Sequence, residues 1–123
     1  MIRALVLALT LTAGPAVAQD MTSASGGLVR VLDKLTGVIS DFDLARGQSQ
    51  TLGRLTVLLD DCRYPTEDPP AESAAHLIIS DTSVTTGPVF AGWMIATSPA
   101  LSALDHPRYD VWVLNCDIPA SNG

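Results

Sequence analysis

From Leu28 to Cys116 apolar and polar residues alternate in short runs, and no window holds a sustained helical period. Leu28 to Leu35 is rich in valine and leucine and sets Arg30 and Lys34 on one parity, the pattern of a half-buried strand. Asp33 breaks that pattern, because it falls on the parity of Val29 and Val31. Val38 to Leu44 alternates cleanly, with Phe42 and Leu44 opposed to Asp41 and Asp43. Leu52 to Leu59 puts Leu55, Val57 and Leu59 on one face, Leu58 being the exception, and Asp60-Asp61 marks its exit. Ala74 to Ser80, Val89 to Ala96 and Tyr109 to Cys116 complete six predicted strands. In the fifth, Val89, Ala91, Trp93 and Ile95 share a parity, and Gly92 signals a bulge or a close neighbour.

Turn chemistry separates these runs. Thr36-Gly37, Arg46 to Ser49, the proline-rich stretch 64 to 72 and Asp81 to Pro88 read as turns or loops. Ser98-Pro99 opens one short helical turn, ALSALDH, stopped by Pro107. Strands recurring every 10 to 15 residues without intervening helices imply antiparallel pairing. The fold class expected is all-β, a small antiparallel β-sandwich or barrel with one short helical turn. It forms a single domain over 28–119, with a flexible leader at 19–27 and a tail at 120–123.

The first residues alter the picture of where this happens. Arg3, an apolar run from Ala4 to Ala13, Gly14-Pro15 and the small residues Ala16-Val17-Ala18 make residues 1–18 a signal peptide, cut before Gln19. The run is shorter than the roughly 20 residues that span a bilayer, so no transmembrane segment is expected in the mature chain. Export to the periplasm follows. The remaining 105 residues carry 6 basic against 13 acidic side chains, a balance that opposes nucleic acid and anionic lipid.

Export changes the meaning of Cys62 and Cys116. An oxidising compartment and an even count favour a disulfide between them, worth ~4 kcal/mol for a loop of about 55 residues. The rival is a thiol nucleophile or a metal site with His76 and His106. Finger-type zinc sites draw cysteines in closely spaced pairs, and here each stands alone, so no metal and no cofactor are expected. Asp105-His106 with Ser98 and Ser102 supplies the residue types of a small hydrolase. The G-x-S-x-G turn of esterases is absent, however, and Ser98 and Asp105 have local capping uses. The acidic pairs Asp60-Asp61, Asp41/Asp43 and Glu67-Asp68 read as solvated faces. Trp93 and Trp112 carry the largest apolar side chains. Trp112 shares parity with Leu114 and Cys116, which places it in the core against the disulfide, and Trp93 is assigned there too. The candidates for a binding surface are Trp93, His106 and Tyr109.

Three stretches, LVRVLDKLTG, DDCRYPTEDPP and FAGWMIATSPALSALDHPRYDVWVLNC, resemble the bacterial exported domain of unknown function numbered 2155. The likeness covers nearly the whole mature chain, with Gly27-Leu28 departing slightly from the family's start. It implies an envelope location and carries over no catalytic residue. The reading is then a non-enzymatic envelope protein that binds a protein partner or a cell-wall component. The alternatives are the hydrolase using His106 with Ser98 or Ser102, and an assembly or accessory factor for a membrane complex such as respiratory complex I.

Overall fold

A computed structural model of the chain describes residues 7–11, 14, 20–69, 72–98 and 104–119. Among these residues eight strands form two antiparallel sheets. The strands are β1 (Met21–Ser23), β2 (Gly26–Asp33), β3 (Ile39–Ala45), β4 (Ser49–Leu52), β5 (Leu55–Pro65), β6 (Ala74–Asp81), β7 (Phe90–Ile95) and β8 (Tyr109–Cys116). The larger sheet runs β1-β5-β6-β7, and β4 also pairs with β5. The smaller runs β3-β2-β8. The sheets do not close into a barrel. They face each other across a core built from alternate residues: Leu55, Val57, Leu59, Leu77 and Ile79 from one side, Val29, Val31, Leu44, Val111 and Val113 from the other.

The described residues contain no helix, and most of the expected helical turn, with Ser102, lies outside them. Two further differences concern strand ends. Leu52 and Leu55 do not belong to one strand, because Gly53 takes a positive φ of 57° and turns β4 into β5. Part of the expected leader is also in strands: Met21–Ser23 pairs with Arg63, Tyr64 and Pro65, and Gly26-Gly27 opens β2.

Asp60-Asp61 is not the exit of a strand. The ladder between β5 and β6 shifts between Leu59 and Asp61, so one extra residue is accommodated there, and β5 continues to Pro65. This bulge switches parity. Leu55, Val57 and Leu59 point inward before it, and Cys62 and Tyr64 point inward after it. β8 does the same against β2, where Val29 faces Val113 but Leu28 faces Asn115, leaving Leu114 as the extra residue. Val113 is inward and so is Cys116. Each cysteine therefore follows a bulge that turns it into the core. The two meet as a disulfide of 2.02 Å that staples β5 of one sheet to β8 of the other. Gly27 passes so close that a Cβ there would lie 2.8 Å from the Cys62 sulfur, which explains a glycine at this point.

The β8 bulge overturns the placement of Trp112. Counted without it, Trp112 and Cys116 share a face. Counted with it, Trp112 stands on the outer face of the smaller sheet, opposite Arg30. Trp93 is also outside the core, 38% exposed on the outer face of the larger sheet, where Met94 is the buried neighbour.

Candidate functional site

Asp33, the break in the first strand pattern, and Asp81, expected in a turn but found in a strand, build one end of the sandwich. Asp33 closes β2 and Asp81 closes β6, both on the inward parity of their strands and both buried. An inward carboxylate must be fully bonded to be tolerated. Asp33 accepts from the backbone N–H of Leu35 at 3.0 Å and from the Arg108 Nη2 at 3.0 Å. These bonds, chiefly from the Arg108 guanidinium, bring its carboxyl down to about 2 against the opposing effect of desolvation. Asp81 accepts from the His106 Nε2 at 2.8 Å on one oxygen, and from the Ser83 N–H and hydroxyl at 2.8 and 2.7 Å on the other. The His106 bond, then those from Ser83, hold the Asp81 carboxyl well below the usual carboxylate range.

His106 is 5% exposed and is spent on this scaffold. Its Nδ1 accepts the backbone N–H groups of Arg108 and Tyr109 at 3.0 and 3.1 Å, so the proton sits on Nε2 and is given to Asp81. No ring nitrogen is left to take a serine proton. Ser98, with its N–H on the Ile95 carbonyl, simply follows β7. Tyr109 is buried beside the imidazole, ring centres 5.3 Å apart. His106 and Tyr109 thus lie beneath the surface, and Trp93 lies elsewhere. Trp93 pairs with His76 across the β6–β7 ladder, edge to face at 5.2 Å, and carries the Arg63 guanidinium over its ring at 5.0 Å. That places it toward the disulfide end, since Cys62 and Ala75 are the adjacent pair. The three candidates do not form one surface.

What does face solvent above the Asp33–His106–Asp81 floor is an open cleft of about 270 Å³, lined by Lys34, Leu35, Arg54, Pro107 and Arg108. Its cations are held by the fold. Lys34 Nζ donates to the His106 carbonyl at 2.7 Å and lies 3.4 Å from Asp110. Arg108 is fixed by Asp33, and Arg54 Nε lies 3.1 Å from Asp81. Beside the cleft the β2–β3 turn and the start of β3 expose three large aliphatic residues, Leu35, Val38 and Ile39, at 76%, 58% and 56%. The clustering of Lys34, Arg54 and Arg108 was not visible in the sequence because the three come from distant segments. The usable signal was the acid at an inward position, visible at Asp33 and repeated at Asp81. The cysteines are bonded to each other, so neither is a thiolate ligand, and no group of three or more metal-type side chains occurs among the described residues.

The depressed carboxyls have a consequence for acid stability. A carboxyl whose folded pKa lies below its unfolded value of about 3.9 stabilises the fold fully above that pH and progressively less below it. For Asp33 the loss runs from there down toward about 2. The urea midpoint is expected to hold between about pH 5 and 7 and to fall below about pH 4. An equal midpoint at about pH 3 and pH 7 would show that these acids are not bonded as described.

The family described as "Uncharacterized protein conserved in bacteria (DUF2155)" matches residues 27–116, which takes in all the described strands but β1 and the first residue of β2. The uncharacterized protein RP359 of Rickettsia prowazekii (strain Madrid E) is 23% identical over 99 residues, 79% of this chain. The chain spans 64% of that relative's length. No solved structure matches. Among the described residues no helix is long and apolar enough to cross a membrane. Two of the stretches that carried the resemblance, LDKLTG and DHPRYDVW, meet at the cleft. The chain belongs to the DUF2155 family of uncharacterized bacterial proteins.

Proposed function

We propose that the chain is an exported, periplasmic, non-enzymatic domain of the cell envelope that holds a protein partner at its cleft end. The observation that carries this reading is the junction of three fixed cations with an exposed aliphatic turn, Leu35, Val38 and Ile39, on an otherwise acidic molecule. Rigid apolar anchors bordered by charge are the composition of binding surfaces, and they lose little entropy when a partner arrives. A non-enzymatic role is supported by the use of both His106 nitrogens within the scaffold. Export is supported by the buried Cys62–Cys116 bond, since such bonds form and persist in oxidising compartments.

A photo-crosslinking residue placed at Leu35 or Val38 in producing cells tests the reading. A discrete protein adduct is expected from both positions and not from Asn115, exposed at the disulfide end of β8. Equal adducts from both ends, or recovery of the chain in the cytoplasm with reduced cysteines, would overturn it.

A further inference from the structure

The cleft has a polarity that the sequence does not suggest. Its lining contains three cations and, among the described residues, no carboxylate. The acids that hold two of those cations stand behind them: Asp81 and Asp33 side chains are 3% and 12% exposed, against 41% for Arg54 and 37% for Arg108. Each pair is a dipole with its positive end toward solvent. Three of the six basic residues of the expected mature chain are gathered at this one place. Arg54 is held more loosely than Arg108. Its Nε is buried and lies 3.1 Å from Asp81 without hydrogen-bond geometry, so charge alone holds it there, and the exposed part of the side chain is what a ligand meets. The remaining lining, Leu35 and Pro107, is apolar. By contrast the outer face at Trp93 already has Arg63 over the indole and His76 at its edge.

A cleft of about 270 Å³ falls below the size of drug-like ligand sites and suits one or two side chains. From this geometry we infer that the cleft captures the free carboxyl terminus of a partner protein whose last residue is aliphatic. The carboxylate lies against the donors of Arg54 and Arg108, with Lys34 adding charge, and the last side chain packs on Leu35 and Pro107. Packing on Leu35 favours a leucine-sized end over an alanine end, which sets a protein terminus apart from a cell-wall peptide. This inference rests on the docking role given to this end of the molecule.

The test uses the full chain and three probes followed by calorimetry or amide chemical shifts: acetyl-glycyl-glycyl-leucine, its carboxamide, and an acetylated lysyl-D-alanyl-D-alanine. The free acid is expected to bind at least roughly tenfold more tightly than the amide, and added salt to weaken it. Arg54→Gln is expected to remove the difference between acid and amide. Leu35→Ser, at an exposed position that does not support the core, is expected to remove the preference for leucine over alanine ends. Trp93→Ala is expected to change neither. Equal binding of acid and amide, no binding of either by a folded chain, or tighter binding of the D-alanine probe would each overturn the inference. Crosslinks from Leu35 that persist when the acid probe does not bind would leave the docking role standing and remove only the carboxylate.

Discussion

Replacing Cys62 and Cys116 together with alanine is expected to lower the unfolding free energy by about 4 kcal/mol. The bond joins residues 54 apart in sequence, and a cross-link of that span removes much of the conformational freedom of the unfolded chain. Domains of this size have a net stability of roughly 5–15 kcal/mol, so the loss is a large share of the total. The position of the bond adds to its importance. It ties the end of β8 in one sheet to β5 in the other, a covalent link between the two layers. Both sulfurs are fully enclosed, with Gly27 directly against one of them, so the truncated pair also leaves a small void. Urea unfolding at neutral pH, with wild type and the alanine pair compared in oxidising buffer, measures the difference. A change below about 1 kcal/mol, or wild-type material that reacts fully with a thiol-blocking reagent in its folded state, would sink the staple as described.

His106→Ala is expected to lower the thermal midpoint by on the order of 10 °C. The imidazole has three partners, and all of them are left behind by the substitution. The Asp81 carboxylate loses the donor on one oxygen, and the Arg108 and Tyr109 N–H groups lose their shared acceptor. Buried groups stranded in this way cost their full desolvation, which exceeds the net gain from an ordinary hydrogen bond. The Tyr109 ring also loses its neighbour, so its near-ultraviolet circular dichroism should weaken with the midpoint. His106→Gln, which can place an amide N–H toward Asp81, should recover part of the loss. If alanine leaves the midpoint within about 2 °C of wild type, the histidine is not structural and the hydrolase reading returns.

These two expectations bear differently on the function. The disulfide variant should lose binding at the cleft only through loss of folding, because the bond lies at the opposite end of β2 and β8 from Asp33 and Tyr109. The histidine variant acts on the floor of the cleft itself. Lys34 donates to the His106 carbonyl, and Arg108 follows two residues later. It should therefore weaken binding under conditions where the rest of the chain is still folded.

Strand alternation is a local property, and it was enough to establish the all-β class, the antiparallel pairing and six of the strands, since each run needs only one face to be apolar. The presence of just two cysteines likewise pointed to the pair Cys62 and Cys116. Alternation failed wherever two successive inward positions were an odd number of residues apart. Leu59 to Cys62 and Val113 to Cys116 are both three apart, and only a partner strand reveals which residue bulges out between them. For that reason Trp112 was assigned to the wrong side. The cleft lay beyond local reading for a different reason. Asp33 could be seen as a break in its strand, but its partner Arg108 lies 75 residues away, and Arg54 meets Asp81 only across a turn of the folded chain. Charge in the sequence gives a total. Packing decided which acids sit behind and which cations face water, because burial selects the carboxylates with enough donors and leaves the cations that supply them at the rim.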